Sequence, residues 1–222
     1  MKKIILIPII VVLVSVAVLG YLGFVPGLSD VITPPRDLGV RYSEADLLTA
    51  YDKAGRYTYT LPNGSIIINY TGDIDTQFTN EEISALITLH PRTYNPLQDT
   101  QVKFNEDGTV EFSGKLDTKY LAKFSDRFKL NLPSEATDVV KNMPGSPRFY
   151  LKGTGSVIED DAEFDVEEVE IGRISVPVKD ASQGLESATE NYIDSMDDAH
   201  LTSATIVDGG LEFDGMFPRA TP

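Results

Sequence analysis

Cysteine is absent from the 222 residues. That excludes a disulfide framework, a thiolate metal site, a cysteine nucleophile and a lipidated N-terminal cysteine. Histidine is scarce: His90 stands before Pro91 at a helix end, and His200 opens a strand. Ser195, Asp197 and Asp198 neighbour His200 only in sequence, whereas a triad is defined in space, and no G-x-S-x-G elbow occurs. Positive charge is short as well, with 19 Lys and Arg against 34 Asp and Glu and a net charge of −15. Phosphate binding needs clustered cations, so nucleic acid is excluded as a partner. Electrostatic adhesion to an anionic bilayer is excluded on the same ground, so any membrane attachment is hydrophobic.

The sequence predicts such an attachment. Lys2 and Lys3 precede an uncharged run from Ile4 to Val25. Those 22 residues span about 33 Å as a helix, the thickness of the hydrocarbon core. A cleaved signal peptide has a shorter apolar region and a small-x-small site, so an uncleaved anchor is preferred. The two lysines hold the N-terminus in the cytoplasm, and the rest lies outside the cell membrane. The expected organisation is an anchor over 1–25, a Pro/Gly stalk over 26–40, an extracytoplasmic domain over 41–217 and a tail over 218–222.

The domain reads as hairpins separated by helices, giving an α+β fold with a curved, mostly antiparallel sheet. Ser43 and Asp46 form a capping box for a helix with Ala45, Leu48 and Tyr51 on one stripe, ended by Gly55. "YTYTLPNGSIIINY" predicts a hairpin in which an Asn63-Gly64 turn pairs Leu61 with Ile66, Tyr59 with Ile68 and Tyr57 with Tyr70. Thr79 and Glu82 cap a second helix with Ile83, Leu86 and Ile87 facing inward. In "FNEDGTVEFSG" a three-residue loop, with Gly108 left-handed, sets Phe104 opposite Val110 and Val102 opposite Phe112. Phe149, Leu151 and Val157 share a phase in the next strand.

"AEFDVEEVEIGRISVPV" slips phase twice, which predicts bulges near Glu167-Glu168 and Gly172-Arg173 in a strand running to Val178. A helix follows with Leu185, Ala188, Tyr192 and Met196 on one side. Then an Asp208-Gly209 turn pairs Ile206 with Leu211 and Ala204 with Phe213.

Motifs for chemistry are weak. "GTGS" at Gly153 to Ser156 lacks the following Gly and Lys of a phosphate loop. The acidic run 159–170 suits calcium or, preferably, a solvated strand face with a turn at Asp160-Asp161. "DIDTQFTNEE" has Phe78 and Ser84 where a calcium loop needs Gly and Glu. Asn63 and Asn69 head glycosylation sequons. No cofactor, metal or catalytic residue is expected, and no protein partner is specified.

"TNEEISALI", "QVKFNEDGTVEFSGKLD", "VEIGRISVPV", a helix and "LTSATIVDGGLEFDG" occur in that order over roughly residues 76 to 216. This order resembles small membrane-anchored bacterial members of the tubular lipid-binding (TULIP) superfamily, of the YpmS and LmeA kind. The resemblance implies a long helix wrapped by a curved antiparallel sheet, an apolar groove for acyl chains, and no catalytic residues. The pattern of apolar positions supplies the candidates for that groove: Phe104, Val110, Phe112, Ile174, Val176, Ile206 and Phe213, facing Leu185 and Tyr192. The alternative is an envelope interaction module in which these residues form a closed core. A glycan-cleaving enzyme is a third reading, and it requires a carboxylate buried in a cleft with a raised pKa.

Overall fold

The computed structural model describes residues 34–60, 66–70, 72–89, 95–117, 120, 121, 123, 146–172, 174, 175, 177–194 and 200–216, with the backbone alone at 56–60, 66–70, 174, 175 and 192. The expected anchor over 4–25 lies outside these residues. Among the described residues no helix is long and apolar enough to cross a membrane.

Helix α1 (Glu44–Lys53) begins where Ser43 and Asp46 close their box, the Asp46 carboxylate accepting from the Ser43 N–H and hydroxyl, each at 2.7 Å. Its buried stripe is Leu47, Ala50 and Ala54, not Ala45, Leu48 and Tyr51. The sequence carries two overlapping stripes, and the one with small alanines lets the helix approach Ile74 and Phe78 closely, leaving Leu48 61% exposed.

Strands β1 (Arg56–Thr60) and β2 (Ile66–Tyr70) pair apart from the main sheet. Their register sets Tyr59 against Ile67 and Tyr57 against Asn69, one residue off the expected pairing. Pro62 has no N–H with which to complete the closing pair that a two-residue Asn-Gly loop needs.

The main sheet has eight strands. In the order β3 (Asp73–Thr79), β10 (Gly210–Met216), β9 (His200–Val207), β6 (Arg148–Ile158), β5 (Val110–Leu116), β4 (Leu97–Phe104), neighbours are hydrogen-bonded, and every pairing is antiparallel. Strand β7 (Asp161–Ile171) pairs along the other edge of β6 and carries the short β8 (Ile174–Ser175). The sheet therefore forks at β6. Strand β5 docks on residues 148–153 of β6 and β9 on residues 156–158 of the same edge, so two hairpins meet tip to tip beside Thr154 and Gly155.

The tips have the expected loops. Phe104 opposes Val110 with Gly108 at φ 80°, and Ile206 opposes Leu211 around Asp208-Gly209. The register of β6 and β7 shifts at Glu167, as the first phase slip predicts. The second slip is not a bulge. Gly172, at φ 67°, starts a tight reversal that folds Ile174 back against Ile171. Nor does the strand reach Val178. Pro177 has no ladder N–H to give, its carbonyl accepts from the Ala181 N–H at 3.2 Å, and Val178 opens helix α3 (Val178–Asp194).

Helix α2 (Asn80–Leu89) starts from a complete capping box between Thr79 and Glu82. It then seals the free edge of β4. Asn80 Oδ1 accepts from the Phe104 N–H at 2.8 Å, Ser84 Oγ from Val102 at 2.8 Å and Thr88 Oγ1 from Thr100 at 3.1 Å. Four helical residues rise about 6 Å and two strand residues about 6.6 Å, so side chains four apart meet alternate edge amides. Helix α3 repeats this on the free edge of β7. There Ser182 Oγ accepts from Val166 at 3.1 Å and Glu186 Oε1 from Phe164 at 3.2 Å.

The expected stalk stops short of residue 40. The Leu38 and Val40 N–H groups donate to Gln101 Oε1, Val40 is buried, and Arg36 lies 3.6 Å over the Tyr150 ring. Residues 36–40 thus strap the outer face of the sheet from β7 to β4.

Candidate ligand channel

Strand parity creates the site. Val110 opposes Gly153, Phe112 opposes Leu151 and Gly114 opposes Phe149, so one face of β4–β7 is a continuous apolar floor. Because α2 and α3 are tied to opposite edges, they stand as walls, presenting Ile83 and Ile87 on one side and Leu185 and Thr189 on the other. The space between is a cavity of about 600 Å³ lined almost wholly by apolar side chains. Its lining follows β6 from Phe149 to Val157, about 26 Å of strand at ~3.3 Å per residue, so the volume is spread along a channel and not gathered in a round chamber.

Of the nine residues singled out in the sequence, Phe104, Val110, Phe112, Leu185 and Ile206 line this channel. Phe213 does not. It packs edge-on against Phe78, ring centres 6.2 Å apart, in a separate cluster with Ala50, Ala54 and Ile74 under α1. It shares a face with Leu211, which does line the channel, but sits one pleat further along β10. Val176 and the side chains of Ile174 and Tyr192 lie outside the described set. Sequence reasoning passed over Leu151, Val157, Phe164 and Val166 as channel residues. The parity shared by Leu151 and Val157 on β6, and by Phe164 and Val166 on β7, was the available signal.

The lining's single charged residue among those described is Glu170, and its carboxylate is taken by Arg36 at 3.1 Å and Arg148 at 3.2 Å on the outer face. On that face Tyr150 donates to Glu111 at 2.6 Å. Burial, with help from the Glu111 carboxylate, moves the Tyr150 phenol above its ordinary range. Among the described residues the channel therefore offers a ligand no ionic partner.

Glu159 and Asp160 form the β6–β7 turn, one residue before the expected position, both left-handed at φ 51° and 68°. Asp160 accepts from the Leu201 N–H at 2.7 Å and contacts His200 Nδ1 at 2.8 Å. The Leu201 N–H, then His200, hold the Asp160 carboxyl below its ordinary value, and Asp160 in turn raises the His200 imidazole. This pair does not line the channel. Glu82 is buried, with Lys53 Nζ 2.7 Å away. Among the described residues the carboxylates with resolved shifts, Asp37, Asp107 and Asp160, are all lowered, and no acidic or histidine cluster is placed to hold a metal ion.

No family model, curated protein or solved structure matches this chain.

Proposed function

We propose that this is a membrane-anchored, extracytoplasmic protein without enzymatic activity that binds the hydrocarbon chain of a lipid in the channel between α2 and α3. The observation that carries the reading is the elongated apolar cavity of about 600 Å³, within the size range of ligand sites. A chain of about a dozen methylenes costs on the order of 10 kcal/mol to expose to water. Moving it from a bilayer into a channel of similar polarity costs little, so the protein can carry it past the aqueous layer. The lining favours an uncharged chain over an anionic group.

The apolar run Ile4–Val25 supports a single-pass anchor with a cytoplasmic N-terminus. Membership of the tubular lipid-binding superfamily, with its curved sheet around helices, is proposed on the order of the sequence motifs. The antiparallel sheet, the bulge at Glu167 and an apolar channel beside a long helix agree with it.

Native mass spectrometry of the full-length chain, moved from its host membrane into amphipol, tests the binding. The expected result is one lipid per chain, lost at least ten-fold on Phe112→Trp or Leu185→Trp, which fill the channel. A lipid load unchanged by both substitutions contradicts the reading.

A further inference from the structure

The channel has a defined end. Val157, Phe164 and Ala204 line it and also belong to, or pack against, the buried cluster of Val157, Ala162 and Ile193. Ala162, Ile193 and Leu201 lie beyond and do not line it. The boundary is formed by Val157, Phe164 and Ala204.

Gly155 decides where the Phe164 ring lies. The two residues pair across β6 and β7. A Cβ on Gly155 would stand 2.7 Å from Phe164 Cε1 and nearer still to Cδ1, so the ring occupies the space that a side chain at 155 would take. Gly153 differs: a Cβ there would meet the Asp165 carbonyl and Val166 Cα, so that glycine answers to the backbone of the bulged strand. At 155 the two nearest atoms belong to a side-chain ring, and the Glu163 carbonyl follows at 3.1 Å.

We propose that the Phe164 ring, lying over Gly155, is the stop that sets how long a hydrocarbon chain the channel accepts. This rests on the reading of the channel as a chain-binding site. With the ring down, a chain runs over the floor as far as the ring and stops short of Ala162 and Ile193. A methyl group at 155 tips the ring up into the channel and shortens it. Removing the ring lengthens it by several methylenes.

The test exposes the full-length chain in amphipol to an equimolar series of saturated fatty acids of increasing length and reads the bound masses by native mass spectrometry. Within the accepted range each added methylene should raise occupancy roughly four-fold, and beyond a cut-off occupancy should fall. Phe164→Ala moves the cut-off to longer acids and Gly155→Ala to shorter ones. Phe164→Leu, which keeps an apolar side chain on the Ile193 cluster, gives a smaller lengthening and replaces Phe164→Ala if the latter does not fold. A cut-off identical in wild type and folded variants overturns the stop. Failure of the wild type to bind any member of the series overturns the underlying reading instead, and the stop falls with it.

Discussion

Ser84 and Ser113 are both buried, yet they owe their burial to opposite circumstances. Ser84 Oγ accepts from Val102 at 2.8 Å and donates to the Asn80 carbonyl at 2.7 Å. Ser113 Oγ has no hydrogen-bond partner among the described residues. Removing Ser84's hydroxyl orphans a buried edge amide, so Ser84→Ala should cost about 1–3 kcal/mol. Ser113→Ala removes an unsatisfied oxygen and should be neutral or stabilising by up to about 1 kcal/mol. Chemical denaturation of the two variants, with hydrogen exchange at the Val102 amide, checks both signs. Neither hydroxyl's role was legible in sequence, because a serine's partner is fixed by which strand edge the helix meets.

At the scale of elements, the local rules that combine turn chemistry with strand parity worked best. Gly108 and the Phe104/Val110 pairing specify one hairpin, and Asp208-Gly209 with Ile206/Leu211 specifies another. They failed where a proline intervened. The β1–β2 register is one residue off the pairing drawn through Pro62, which has no N–H to close it, and Pro177 turned an expected strand into the first turn of α3.

The β6–β7 turn is joined to β9 by a titratable contact. Asp160 lies between His200 and the Leu201 amide, with Glu159 at 3.8 Å from the imidazole and Asp214 contributing from β10. His200 is raised above 6.5 in the folded state, so its contribution is complete below 6.5 and lost as pH rises through the raised value. Asp160 is lowered below 3.8, so its share is complete above 3.8 and lost as pH falls through the lowered value. The clamp is therefore tightest between 3.8 and 6.5. An NMR titration should find the His200 imidazole above 6.5 and returning toward it in Asp160→Asn, and the idea fails if the midpoint does not move.

For the whole molecule, two helices tied to opposite edges of a forked sheet leave a channel where a helix laid across the middle would have filled it. The floor was partly visible in the sequence as the shared phase of Phe149, Leu151 and Val157. The walls were not, since Asn80, Ser84, Thr88, Ser182 and Glu186 look like ordinary polar helix positions until the edge amides are placed beside them. Phe213 was misread for a related reason: its face was right, but the position of α1 along β10 put it in another cluster.

The central claim is that the channel holds a lipid chain while the protein sits in its membrane. The most direct measurement grows cells expressing the full-length chain with a diazirine-bearing fatty acid, illuminates them, and maps the adducts by peptide mass spectrometry. The account predicts adducts on the channel strands around Phe112, Leu151 and Phe164 and on α3 near Leu185. Adducts confined to residues 4–25 would contradict it.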